Sequence, residues 1–293
     1  MSLTRPSQEL LAAFDSAVAA ALVEDLGEIG IESDVTTKAV VPDDLLGAAT
    51  VYAKQAGVIC GLEALAATYA QLDAGVSVAQ SSKDGDGIQP GDAVATVEGP
   101  AAAILVGERS ALNLIGHLSG IATLVRTFVR AAPGAILTDT RKTLPGLRLL
   151  QKYAVRIGGA SNHRFALWDG VLVKDNHIAA GGGVGQAVKR ARASTSLPVQ
   201  AECTSLQEVD EALEAGAMAL LLDNRSTDEL RRLVEHIRSR ADHVMIEASG
   251  GITLDSVAEV ATTGVDRISV GAFTHSAPAL DVSMKLERVW RPN

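Results

Sequence analysis

From Ile136 onward the chain repeats one grammar: a short aliphatic run, a polar residue at its end, a Gly or other turn signal, then a helical stretch. The runs are Ile136-Leu137, Val171-Leu172-Val173, Pro198 to Cys203, Ala219 to Leu222, Val244-Met245-Ile246 and Ile268-Ser269-Val270. They are nearly continuously apolar, as parallel strands covered on both faces must be. Helical patterns such as Leu206 to Ala215 and Leu254 to Thr262 separate them, so the unit is βα and the sheet is parallel. A barrel is favoured over a doubly wound sheet because chemistry-bearing residues recur at one strand C-terminus after another, where barrel enzymes keep their sites.

The first ~110 residues follow a different rule. Runs such as Ala93 to Glu98 alternate apolar and polar, with turn-rich joints at Asp84 to Gly87 and Gln89 to Asp92. That alternation suits an open sheet with one face packed and one exposed. Val282 to Glu287 alternates in the same way and is expected to return to the first sheet. A helix over Arg109 to Ile121 carries Leu112, Ile115 and Leu118 on one stripe. The fold class expected from these patterns is α/β: an open N-terminal sheet that the C-terminal strand rejoins, over residues 1–112 with 280–293, and a parallel α/β barrel over residues 113–279.

A chain of 293 residues with 47% hydrophobic content can bury a large core. Leu10 to Leu26 has the apolarity of a secretion signal, but Asp15 interrupts it and Glu24-Asp25 occupy the place of a cleavage site, so it is expected to be a first helix. No uninterrupted apolar run reaches the ~18 to 20 residues that span a bilayer, and a cytoplasmic protein is expected. Cys60 and Cys203 are too few for a disulfide framework and lack metal-ligand spacing. Nine aromatic residues leave little for stacking on bases, so nucleic acid is not an expected partner.

From Arg141 through Lys174, seven Lys/Arg stand against one acid, Asp169, in a chain whose net charge is −9. A basic cleft in an acidic protein selects a small anion. Arg141 and Arg164 are candidates to grip carboxylate or phosphate through paired N–H donors. His163 lies beside Arg164 in a Gly-Gly-Ala-Ser-Asn-His-Arg loop, and Lys142 and Lys174 each follow a strand run. Each lysine is either a phosphate contact or a Schiff-base nucleophile. Glu202 and Asp223 end consecutive strands, where two carboxylates either hold Mg²⁺ together with substrate phosphate or pair with the lysines. Ser249-Gly250-Gly251 and Gly271 end the last two strands and expose backbone N–H groups to a phosphate. Gly181 to Gly185 lacks the dinucleotide-binding spacing, since position 186 is Gln. Arg109, at a helix start, looks structural on these grounds alone.

Several ordered motifs carry a resemblance: Glu108 to Asn113, Leu118 to Thr123, Asp139-Thr140-Arg141-Lys142-Thr143, Lys174-Asp175-Asn176-His177, Leu222-Asp223-Asn224 and Glu247 to Ile252. With Glu24-Asp25-Leu26 and Asp34 to Thr37 they span nearly the whole chain, which resembles the nicotinate-nucleotide diphosphorylases, or quinolinate phosphoribosyltransferases. The resemblance implies transfer of a phosphoribosyl group from 5-phosphoribosyl 1-diphosphate to quinolinate, with loss of CO2 and diphosphate, to give nicotinate mononucleotide for NAD synthesis. It implies an N-terminal open α/β sandwich plus an incomplete, seven-stranded-like α/β barrel, Mg²⁺, and a homodimer, or a dimer of dimers or hexamer, with sites near subunit contacts. Arg109 from the partner subunit, Arg141, His163 and Arg164 would hold the quinolinate carboxylates. Lys142 and Lys174 would contact substrate anions, Glu202 and Asp223 the ribose hydroxyls and the metal, and Ser249, Gly250 and Gly271 the 5-phosphate. Only the resemblance promotes Arg109.

The chain departs from the family pattern at Ala160 and Ala166, where glycines are common, and at Gln200, which stands where an acid is usual. These leave room for a paralogue of the molybdenum-transport-associated type with another aromatic acid as acceptor. A Schiff-base aldolase and a non-catalytic anion binder are the readings from other classes.

Overall fold

The computed structural model describes residues 7–292, and its strands separate into antiparallel and parallel groups. Residues 1–6 and 293, which fall within the expected sandwich domain, lie outside the described residues. Helices α1 (Gln8–Leu26) and α2 (Val35–Val40) precede β1 (Leu46–Ala53), β2 (Gly57–Val58), α3 (Glu63–Leu72), β3 (Ser77–Gln80), β4 (Gly87–Ile88) and β5 (Ala93–Pro100). The long α4 (Ala101–Ala131) leads to β6 (Ile136–Thr138), α5 (Arg148–Gly158), β7 (Val171–Val173), α6 (Asp175–Gly181) and α7 (Val184–Ser194). Then come β8 (Val199–Cys203), α8 (Leu206–Glu214), β9 (Ala219–Asp223), α9 (Thr227–Arg240) and β10 (Met245–Ser249). The last elements are α10 (Leu254–Ala261), β11 (Arg267–Ser269), α11 (Ala272–His275) and β12 (Val282–Trp290).

Packing divides the chain into two compact units. Among the described residues, one comprises those up to Arg126 with Thr143–Gly159 and those from Ser276 onward, and the other Thr127–Lys142 and Ala160–His275. In the first, an antiparallel sheet runs β12-β1-β5-β3. Burial alternates residue by residue along β1, so one face packs and the other meets solvent. As its alternation predicts, β12 returns to this sheet and pairs with β1 from Leu46↔Trp290 to Ala53↔Val282. The apolar N-terminal run is helix α1, whose Ser7 accepts the Leu10 N–H at 3.2 Å as an N-cap. Tyr69 of α3 donates to the Ile104 carbonyl of α4 at 3.1 Å, and Phe14 of α1 meets Tyr153 of α5 edge to face.

Helix α4 extends well past the expected Arg109 to Ile121, with Leu112, Ile115 and Leu118 buried as their spacing predicts. It is long and apolar enough to cross a membrane by length and composition, yet 61% of its most apolar window is buried inside the protein, as a core helix requires. Its glycines explain why the pattern understates it. Gly107 lies against Tyr69 and Leu72, and Gly120 lies against the Pro278 carbonyl, so close approach replaces side chains there.

The second unit carries a parallel sheet in the order β6-β11-β10-β9-β8-β7, an α/β barrel that does not close. Six strands are laddered. Beside β6, Ser161 makes one isolated parallel bridge to Thr138. Ser205, Ser226 and Thr253 accept backbone N–H groups three residues on, so α8, α9 and α10 each start a few residues after a strand ends. Strand C-termini and loops of these βα units are thereby held on short tethers.

A Cβ at position 120 would overlap the Pro278 carbonyl oxygen and lie 3.0 Å from Ala279 Cα. Gly120→Ala is therefore expected to cost about 1–3 kcal/mol, a melting-temperature drop of several degrees, whereas an unchanged melt would contradict this packing.

Candidate functional site

A cavity of about 450 Å³ opens at the C-terminal ends of the parallel strands, lined entirely by residues of the second unit. Arg141, Lys142, His163, Arg164 and Lys174 line it, which brings together the cationic candidates of the sequence. Asp223, Ser249, Gly250 and Gly271 also line it. Glu202 and Arg109 do not. Glu202 is largely buried and its Oε2 lies 3.1 Å from Lys174 Nζ, an ion pair whose angles fall short of a hydrogen bond. Arg109 belongs to the first unit, with a side chain 65% exposed and Glu108 at 3.9 Å.

The His163-Arg164 loop is built on Asp139, a fully buried acid just after β6. Asp139 accepts the His163 backbone N–H at 2.8 Å and the Asn162 amide at 2.6 Å. His163 Nδ1 accepts the Arg164 N–H at 2.8 Å, and Nε2 lies 3.2 Å from Glu247 Oε2 and 3.1 Å from Arg267 Nη2. Arg164 then donates to the Gly170 carbonyl at 2.7 Å, spanning its own loop. Burial first, and the neighbouring Arg141 charge second, push the Arg164 pKa below its ordinary value while Asp169 opposes them. A guanidinium stays charged through such a shift, so this pair of like charges favours an anion between them. Arg141 Nε is buried and makes no hydrogen bond among the described residues, a donor whose burial is costly until an acceptor meets it.

Beneath the cavity lies a charged layer. Glu247, in the middle of β10, is fully buried and is paired in register with Arg267 of β11. Its Oε2 accepts from Arg267 Nε at 2.6 Å and from Gln200 of β8 at 2.8 Å. Gln200 in turn accepts from Arg267 at 3.1 Å, so its neutral amide bridges both members of the ion pair. Burial works to raise the Glu247 pKa, but hydrogen bonds and charge from His163, Arg267 and Gln200 outweigh it and pull the carboxyl down to about 2. Residue-by-residue reading passed over this pair. The signal is an acid inside an otherwise apolar strand, followed by a base opening the next strand.

The phosphate-directed side of the site rests on backbone shape. Gly250 and Gly251 have φ of +82° and +62°, and a Cβ at Gly271 would press on His275 and on the Lys142 side chain. Lys142 is held at its backbone: its N–H donates to Thr140 Oγ1 at 3.0 Å and its carbonyl accepts from Thr274 Oγ1 at 2.8 Å. Glu202 and Asp223 sit on adjacent strands in parallel register, where Glu202 pairs with Leu221 and Asp223 lies two residues further along. No cluster of three or more His, Cys, Asp or Glu with metal-site geometry occurs among the described residues. Two carboxylates nonetheless suffice for Mg²⁺, which keeps waters and substrate phosphate as its other ligands.

Comparison with known proteins identifies the family. The quinolinate phosphoribosyl transferase N-terminal domain matches residues 34–119, and the C-terminal domain of the same family matches residues 121–285. Nicotinate-nucleotide pyrophosphorylase (carboxylating) of Homo sapiens is 45% identical over 244 residues, covering 81% of this chain and 82% of that one. Quinolinate phosphoribosyltransferase (decarboxylating) 2, mitochondrial, of Nicotiana glauca is 39% identical over 287 residues, 91% of this chain and 80% of its own. The crystal structure of NadC from Streptococcus pyogenes superposes with a TM-score of 0.88 at 36% identity, covering 99% of this chain and 100% of that chain.

The Glu247 layer generates a pH prediction with a definite sign. A carboxyl at about 2 in the folded chain and about 4.5 unfolded stabilises the fold above pH 4.5 and loses that contribution as pH falls toward 2. Glu247→Gln, which leaves the half-buried Arg267 without its counter-charge, is expected to cost about 3 kcal/mol at neutral pH. Melting followed from pH 5 to 2 should fall more steeply for the wild type than for the variant, and parallel curves would contradict the assignment.

Proposed function

The chain belongs to the quinolinate phosphoribosyltransferase family, and on that premise we propose that it transfers the phosphoribosyl group of 5-phosphoribosyl 1-diphosphate to quinolinate. CO2 and diphosphate leave, and nicotinate mononucleotide is the product. The observation that carries the reading is the meeting of Arg141 and Arg164 with Ser249, Gly250, Gly271 and Asp223 in one cavity. Two guanidinium groups suit a pyridine dicarboxylate. Strand-end backbone N–H groups at glycines with positive φ suit a phosphate that must come close to the main chain.

In this reading Arg141 and Arg164 hold the acceptor's carboxylates, and His163, engaged at both ring nitrogens, orients Arg164. Lys142 and Lys174 neutralise substrate phosphates from opposite edges of the sheet, one after β6 and the other after β7. Departure of diphosphate builds positive charge on the ribose, which the carboxylates of Asp223 and Glu202 stabilise electrostatically. The pyridine nitrogen attacks the anomeric carbon as the diphosphate bond breaks. The resulting pyridinium accepts the electron pair of the bond to the 2-carboxylate, CO2 leaves, and a proton takes its place. Glu202 and Asp223 would hold Mg²⁺, which when bound supplies charge stabilisation to the leaving diphosphate. Arg109, exposed and lightly paired, is the residue available to a neighbouring copy, and the proposal includes a homodimer or larger assembly working in the cytoplasm.

The test is to incubate the protein with quinolinate, 5-phosphoribosyl 1-diphosphate and Mg²⁺ and to follow nicotinate mononucleotide and CO2 together. Equal amounts of both are expected, and a folded sample forming neither would overturn the reading. In the same assay Arg164→Ala is expected to lose at least tenfold in kcat/KM for quinolinate, since an unpaired buried carboxylate costs about 2–5 kcal/mol. Kinetics like the wild type's would remove Arg164 from the acceptor site.

A further inference from the structure

Asn224 is the one described residue other than glycine with a positive φ, +52°. Asparagine tolerates this left-handed conformation better than most residues, but the geometry is uncommon and persists where surrounding contacts enforce it. Those contacts run in two directions. Asn224 Nδ2 donates to Asp223 Oδ2 at 2.6 Å, and its backbone N–H donates to the Ser249 carbonyl at 2.9 Å. That second bond lies just beyond the final β9–β10 pairing, Ser249↔Asp223, and carries the connection past the ends of both strands. The side-chain amide fills the space above Gly250, where a Cβ would lie 2.8 Å from Asn224 N and nearer still to Oδ1. Gly250 and Asn224 thus require one another: the glycine has no side chain because the asparagine occupies its place.

Asn224 does not line the cavity, whereas Asp223, Ser249 and Gly250, the three residues it touches, all do. We propose that Asn224 is a positioning residue for the phosphoribosyl donor. It locks the Asp223 carboxylate to the Ser249-Gly250-Gly251 turn, so that the groups meeting the ribose and the groups meeting its 5-phosphate stand at one fixed separation. This rests on the assignment of those groups to the donor under the proposed function. The hydrogen bonds of Asn224 run to Asp223 and Ser249 and not to Arg141, His163 or Arg164, so its effect falls on one substrate and spares the other.

Two variants of the full chain separate this role from a general contribution to folding. Asn224→Gly keeps the left-handed backbone free of strain but loses the amide. Asn224→Asp keeps the shape but sets a second carboxylate against Asp223. Both are expected to raise KM for 5-phosphoribosyl 1-diphosphate by about fivefold or more. Calorimetric titration of that compound in the presence of Mg²⁺ should weaken to match, while KM for quinolinate at saturating donor stays within about twofold of wild type. Unchanged donor affinity, an equal loss for both substrates, or an unfolded Asn224→Gly chain would overturn the proposal. A wild-type chain that neither binds the donor nor turns over would instead overturn the functional reading on which it rests.

Discussion

A carboxylate without solvent, placed in the middle of a parallel sheet, can be kept only if several strands agree on where its partners stand. Glu247 is that carboxylate. Its Oε2 gathers Arg267 from the next strand, Gln200 from two strands away and His163 from the loop after α5. Removing water from an ion is expensive, and the attraction to one guanidinium offsets it only with good geometry and added hydrogen bonds. β8, β10, β11 and the His163-Arg164 loop are thereby fixed to one another beneath the cavity. The arginine that the loop presents inherits its position from this layer.

Above the layer the chemistry is a sorting of charge. The protein is acidic overall, with a net charge of −9, yet the cavity collects Arg141, Lys142, Arg164 and Lys174. Such a local reversal concentrates small anions where the whole-molecule field repels larger ones. Acids are present too, but each is committed: Glu202 to Lys174, Asp139 to the His163 loop and Glu247 to Arg267. Asp223 is tied on one oxygen by Asn224 and faces the cavity. The strand-end glycines complete the arrangement by offering backbone rather than side chains.

Much of this was legible in the sequence because position within a strand carries chemical meaning. A short apolar run ended by Lys174, Asp223 or Ser249 announces a parallel strand and places its last residue at the mouth of the sheet. The same logic read Val282 to Glu287 as a two-faced strand and returned it to β1. What escaped was whatever depends on contact between distant segments. Arg267 and Glu247 look like an ordinary base and acid until β10 and β11 are paired in register. Helix α4 exceeds its apolar stripe because Gly107 and Gly120 were shaped by neighbours that local periodicity does not record. Residues Thr143–Gly159 pack with the first unit although they lie between two strands of the second, an excursion that no local signal marks.

In the proposed site, Arg141 and Arg164 recognise a second carboxylate on the acceptor ring. The most direct test is the ratio of kcat/KM for quinolinate to that for nicotinate, which lacks the 2-carboxylate. A lost buried charge contact of about 2 kcal/mol or more predicts a ratio above about 30 in favour of quinolinate. Equal use of the two acids, or preference for nicotinate, would contradict the account and reassign the paired arginines.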